Sequence, residues 1–247
     1  MIVEWATTDG EGRDVLPQEF NARSNVHEYG GSSFNVRSDS GLVFTDWDTK
    51  GVFFLDPATQ GTIPIVDADP KVYFADFHVH PTQTNWVLAV REDHHGPEVE
   101  NSVVVIEAST KTVHTIASGA DFYSHPKFGP SGTKVSWMQW YHPDMPWTGT
   151  ELYVASWEKG TIGKPELIAG KPGQESISQP RWGPDGTLFF TSDQGDFWQL
   201  WRLEVGAKEP KPIVIPGLEK GEFSGPENNL GAYVLFTRCD HRYELML

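Results

Sequence analysis

The chain has 247 residues, 38% of them hydrophobic and 13% aromatic, with 24 Gly and 18 Pro spread along its length; this is enough to bury one sizeable core and excludes disorder and coiled coil. Nineteen basic against 34 acidic residues leave a net charge of −15, so nucleic acid and anionic membranes are excluded as partners by repulsion. The single cysteine, Cys239, excludes an internal disulfide and a cysteine-based metal site.

The N-terminus, Met1 to Trp5, lacks the basic segment and apolar run of a targeting sequence. No stretch approaches the ~18 apolar residues of a membrane span. The expectation is one domain over 1–247, soluble and cytoplasmic.

Taken in chain order, the predicted elements are short β-branched and aromatic runs: 42–44, 52–55, 86–90, 103–106, 188–190 and 233–236. Gly and Pro bound nearly all of them, which is a strand pattern and not a helical one. Prolines preceding turns recur at Pro81, Pro126, Pro180 and Pro226, with steps of 45, 54 and 46 residues. Two units continue alike, Pro126 to Gly132 and Pro180 to Gly186, each running through a tight turn into an apolar strand. A period of about 40–50 residues with four short strands per unit is the pattern of propeller blades.

Dividing at these markers predicts units at 25–67, 71–118, 119–170 and 174–216, with a shorter one at 219–247. The fold class expected is therefore all-β: a single β-propeller of about five blades of four antiparallel strands, six being the alternative. Because an open ring would expose sheet edges, the N-terminal strands, around Val3 and Trp5 or Val15 and Leu16, are expected to pair with Tyr233 to Leu247.

Several segments resemble the propeller of the dipeptidyl aminopeptidase and acylaminoacyl peptidase branch of the prolyl oligopeptidase family. They are Phe20 to Gly31, Arg91 to His94, Gly119 to Tyr123, His142 to Leu152, Glu175 to Trp182, and Ser192-Asp193 through Leu203. The resemblance runs in family order from about residue 11 to 237. It implies a propeller that in the family screens an α/β-hydrolase domain carrying the Ser, Asp and His of catalysis. The Gly-x-Ser-x-Gly turn that exposes such a serine is missing here: Gly129 to Gly132 is a surface turn, and Gly30 to Phe34 lacks the last Gly. No Ser–His pair is indicated by spacing, and no peptidase activity is expected of this chain.

In a propeller the innermost strand of each blade lines the channel. The candidates for inner strands are His27-Glu28-Tyr29, Asp76 to His80, Asp121 to His125, Ser176 to Gln179 and Glu222 to Ser224, which set polar groups at five positions round the ring. By the period of two, Asp76, His78 and His80 share a face, and the two histidines depart from the family pattern. Metal ligation, acid/base chemistry and plain hydrogen-bonded packing are the readings open to them. A second departure, Gly225 to Asn229, replaces a family aromatic and could open the channel.

Loops at Arg91 to His95, Trp137 to Trp147, Gln194 to Trp198 and Arg238 to His241 are expected at one mouth. The aromatic stretch suits an aromatic or other apolar ligand; a plugged channel or a homodimer interface is the alternative use of those rings. Arg91, Glu92 and Asp93 read as a mutual salt-bridge network or as contacts for a ligand.

The function expected is a stand-alone, non-peptidase propeller that binds an apolar or aromatic small molecule at the channel mouth, with cofactor-free cyclase, cycloaddition or isomerase chemistry. A binding scaffold and an inactive propeller fragment of a peptidase are the competing classes. The catalytic donors expected are His78, Tyr123 and His142. Contacts are expected from His27, Tyr29, Asp76, His80, Arg91, Glu92, Asp121, Trp140, Met145, Trp147, Gln179 and Trp198, with no metal and no cofactor.

Overall fold

The computed structural model describes residues 2–5, 12–227, 229–231, 235–239 and 242–246. It is an all-β propeller. Blade one contains β3 (Phe34–Val36), β4 (Leu42–Thr45), β5 (Val52–Asp56) and β6 (Gly61–Val66). Blade two contains β7 (Val72–Val79), β8 (Trp86–Asp93), β9 (Glu100–Glu107) and β10 (Thr112–Ser118).

Blade three runs β11 (Phe122–Phe128), β12 (Lys134–Trp140) and β13 (Glu151–Glu158), whose outer edge pairs with both β14 (Thr161–Ile162) and β15 (Glu166–Ala169). Blade four holds β16 (Ile177–Trp182), β17 (Leu188–Ser192), β18 (Gln199–Leu203) and β19 (Lys211–Pro212). Each blade is an antiparallel meander, and each coincides with one of the predicted repeat units. Hairpins lie at both ends, β1 (Val3–Trp5) with β2 (Gly12–Asp14) and β20 (Leu235–Cys239) with β21 (Arg242–Met246).

The core lies between blades. Strand alternation sends Leu88, Val90, Val103 and Val105 toward blade three, where they meet Val135, Trp137, Ala155 and Trp157. Their neighbours Val87, Ala89, Val104 and Ile106 face blade one and pack on Val43, Val52 and Ile65. A blade of this kind is apolar on both faces, which explains its near-continuous hydrophobic runs. The other face of blade one, Leu42, Phe44 and Leu55, is covered by Ile2, Val15 and Leu16 from the N-terminal hairpin.

The inner strands depart from simple alternation. Each of β7, β11 and β16 carries a β-bulge, at 76–77, 125–126 and 179–180. The first bulge residue is left-handed in every case: Asp76 at φ 52, His125 at φ 54 and Gln179 at φ 53. Pro126 and Pro180 therefore do not precede turns, as the sequence pattern suggests, but lie inside strands. A bulge leaves a residue without a ladder hydrogen bond, so proline is tolerated there; Phe77 takes that place in blade two.

Two further expectations are corrected. Residues 27–30 form a tight turn, not an inner strand, with Gly30 N–H donating to Val26 O at 3.0 Å; Glu222 to Ser224 also lie outside any strand. Among the described residues no ladder joins the N-terminal strands to the C-terminal hairpin: β1 pairs with β2, and β20 with β21. Tyr233, Val234 and Leu247, named in that expectation, lie outside the described residues, as do Asp240 and His241 of the fourth loop.

The contact between the first blade and the last stretch of chain is instead made near the axis, where Gly31 and Leu230 form a parallel bridge. Gly31 sits at φ 97, and a Cβ there would run into the Leu230 carbonyl. Gly31→Ala combines that clash with left-handed strain and should lower the unfolding free energy by about 1–3 kcal/mol in urea titration.

Candidate functional site

A cavity of about 410 Å³ opens at one mouth of the propeller. Its walls come from the 27–30 turn, the end of β8 and the following loop, the start of β11, the end of β12 with the loop after it, and the 225–230 segment. Of the residues expected at a site, His27, Tyr29, Glu92, Asp121, Trp140, His142, Met145 and Trp147 line it.

The aromatic wall is built on blade three. Cross-strand neighbours Phe122 and Trp140 stack at 5.4 Å with an interplanar angle of 17°, and the His27 ring meets both edge-on, at 5.2 and 5.7 Å. Trp140 is buried, whereas Met145, Tyr29 and the His142 side chain are exposed at the rim. Burial depresses the His27 pKa to about 4, against smaller opposing effects from Asp76 and Asn101, so its imidazole is neutral at neutral pH.

Carboxylates punctuate this wall. Glu92 accepts from the His27 backbone N–H at 2.7 Å and meets His94 Nε2 at 2.7 Å. Asp121 accepts from the His142 N–H at 2.7 Å, with His142 Nδ1 at 3.2 Å. Glu227 accepts from Ser178 Oγ at 2.6 Å on the cavity floor. The network expected among Arg91, Glu92 and Asp93 is not formed: among the described residues Glu92 and Asp93 pair with His94 and His95. Arg91 and Asp93 share a face of β8 and interact electrostatically, whereas Glu92 points to the opposite face and lines the cavity.

The remaining candidates lie off the cavity lining. Tyr123 is fully buried between blades two and three and its hydroxyl accepts from the Ala120 N–H at 2.9 Å; burial pushes its pKa up. His78 Nδ1 accepts from the Phe128 N–H at 3.1 Å, and burial holds its pKa down at about 3. His80 is locked by Gly132 O at 3.0 Å and by the N–H groups of Thr82 and Gln83. Trp198 is tied by its backbone to Glu222 and Phe223, and Arg91 is also off the lining. Among the described residues no group of three His, Cys, Asp or Glu could hold a metal ion.

Asp76 and Gln179 lie along the axis below the cavity. The bulge at 76–77 takes Asp76 out of the alternation that was to set it beside His78 and His80. Asp76 Oδ2 accepts from the His125 N–H at 2.6 Å and Oδ1 lies 3.3 Å from Lys127 Nζ. Gln179 Nε2 donates to Ser224 Oγ at 3.0 Å, which donates to Ser178 at 3.0 Å. Blades two, three and four and the 224–227 segment are thus joined by polar contacts round the axis.

Sequence reasoning missed the floor of the cavity, where Ser124, His125, Ser178 and Glu227 meet. Ser124 Oγ lies 3.0 Å from His125 Nδ1, a Ser–His contact that spacing does not indicate. The signal available was the polar residue before each bulge proline, in Ser124-His125-Pro126 and Ser178-Gln179-Pro180.

Solved structures similar to this chain include propeller-bearing members of the prolyl oligopeptidase family, and the chain matches their propeller part. A puromycin-hydrolyzing peptidase of Mycobacterium tuberculosis superimposes with a TM-score of 0.79 and 28% identity, over 93% of this chain and 37% of that one. A puromycin hydrolase follows at 0.78 and 26% identity with the same coverages. A prolyl endopeptidase at 15% identity and a TM-score of 0.59, covering 85% of this chain and 30% of that one, shares the fold alone. The chain therefore spans little more than a third of the length of its first structural relatives. No family model and no curated protein matches it. Among the described residues no helix is long and apolar enough to cross a membrane.

Proposed function

We propose that the chain is a ligand-binding propeller whose mouth cavity takes an aromatic small molecule carrying a positively charged amine. One observation carries the reading: the Phe122–Trp140 wall stands among the carboxylates of Glu92, Asp121 and Glu227, and no Lys or Arg is among the described lining residues. A planar ring gains stacking area there, a cation gains Coulombic and cation–π attraction, and an anion is repelled.

Puromycin, the substrate named for two structural neighbours, combines a methoxyphenyl ring with a free amine and is the first probe to use. It should quench tryptophan fluorescence saturably, and its N-acetylated form should bind more weakly. Equal binding of the two forms would remove the carboxylates from the reading, and no binding of either would remove the cavity.

Trp147 is half-buried on the lining, so Trp147→Ala should weaken binding by about 1–3 kcal/mol with little change in Tm. Trp140 behaves differently, because it is packed under Phe122 and His27; Trp140→Ala should cost about 3 kcal/mol of stability as well.

A second reading follows from the coverage of 37% of the peptidase chain. In it the propeller admits ligands to hydrolase groups carried elsewhere, the same cavity preference holds, and puromycin hydrolysis requires added polypeptide.

A further inference from the structure

We propose that the cavity floor is a proton-transfer centre in which His125 acts as general base on a carbon or heteroatom acid seated against Phe122 and Trp140. The inference rests on the cavity accepting an aromatic ligand and assigns a chemistry that ligand binding alone does not require.

The left-handed bulge at φ 54 turns the His125 side chain toward the axis under the aromatic wall. The ring is held at Nδ1, 3.0 Å from Ser124 Oγ, and its Nε2 faces Glu227 Oε2 at 3.8 Å, an ion-pair and not a hydrogen-bond distance. Glu227 is itself fixed by the Ser178 hydroxyl at 2.6 Å. From below, Asp76 Oδ2 accepts the His125 backbone N–H at 2.6 Å.

The charged groups facing the ring are Asp76, Glu227, Lys127 and Arg181. Burial lowers the imidazole's pKa, the two carboxylates oppose it, and the two cations add to it. The resting ring is therefore neutral, as a base must be. Once it takes a proton, the imidazolium lies beside two carboxylates, so the interaction strengthens as charge develops, which is the condition for catalysis as opposed to tight binding. Apolar Met138 and Ile177 beside the stacked rings limit water at the floor. His142, with its side chain 72% exposed, has no such shelter.

A planar probe with one acidic C–H tests this, 5-nitrobenzisoxazole. The base removes the proton at C3, the C–H electron pair completes the nitrile as the N–O bond breaks, and the oxygen leaves as 2-cyano-4-nitrophenolate. The imidazolium then returns its proton to solvent, and no oxidant or reductant enters. Binding is measured separately with the unreactive, neutral analogue 5-nitroindazole.

Turnover by the full chain should saturate and fall about a hundredfold in His125→Asn, which suits the left-handed position. Glu227→Gln removes a carboxylate that favours the protonated ring, so its pH–rate profile should shift to lower pH and its maximum fall, with analogue binding retained. Absence of analogue binding beside saturable puromycin binding would overturn the base alone, and absence of both would overturn the cavity reading with it. Analogue binding with equal turnover in His125→Asn, or with an unshifted profile in Glu227→Gln, would overturn the base alone.

Discussion

Replacing Asp76 by alanine should lower the unfolding free energy by about 3–5 kcal/mol, the usual cost of breaking a buried ion pair from one side. Asp76 is 0% exposed. Burial opposes its charge, but Lys127, His125 and the hydrogen bond from the His125 N–H together hold its carboxyl below the usual range. Its own N–H donates to Ser32 O at 2.9 Å, and Ser32 Oγ reaches Oδ1 at 3.4 Å, so one side chain joins blades one, two and three.

Alanine removes the carboxylate that Lys127 meets at 3.3 Å and adds strain at φ 52, where aspartate and asparagine are better tolerated. Asp76→Asn keeps shape and the left-handed preference but loses the charge and turns one of the two accepting oxygens into an NH2 donor, so its cost should be smaller than alanine's, about 1–3 kcal/mol. Urea unfolding of both variants separates the two contributions. A loss under about 1 kcal/mol for alanine would mean that the axial contacts add nothing beyond blade packing.

Which parts of this arrangement can be read from sequence follows from the physics of each. Blade boundaries are legible because the runs 86–90 and 103–106 are apolar on both faces and turn residues punctuate them, so the predicted unit at 71–118 and the sheet at 72–118 coincide. Bulges are not, because one extra residue leaves little compositional trace. Pro126 and Pro180 mark two of the three, while Phe77 hides the third, and the displaced face of Asp76 follows from that hidden bulge.

At the mouth, aromatic content was readable at Trp140 and Trp147 because large rings near turns need cover. Tyr123 lies off the lining because alternation on β11 sends its ring between the blades. The partnership of His125 with Glu227 spans about two-fifths of the chain and depends on the path of residues 224–227, which the recurring proline marks but which lie outside any strand, so no alternation orients Glu227.

Acid should unfold the molecule in two windows, and the first belongs to histidine. His78 is depressed to about 3, chiefly by burial and then by Lys127, with Asp76 partly opposing; His27 is depressed to about 4, also by burial. In the unfolded chain both return to the ordinary histidine value of 6.5. Between pH 6.5 and these depressed values the unfolded state binds more protons than the folded one, so stability rises with pH there and is lost as pH falls. At about 1.4 kcal/mol per unit, bringing the pH to 4 should cost roughly 3 kcal/mol through His78 and slightly less through His27. Asp76 acts in the second window: its depressed carboxyl stabilises the fold above the ordinary aspartate range and loses that contribution at lower pH. Urea midpoints at pH 7, 5.5 and 4 give the slope. His78→Asn keeps an acceptor for the Phe128 N–H and does not titrate, so its stability should fall less steeply between pH 6.5 and 4, by roughly 3 kcal/mol over the window. An unchanged slope in that variant would show that His78 is hydrated and titrates normally, and the packing of blade two against blade three at Phe128 would then have to be looser than the 3.1 Å hydrogen bond implies.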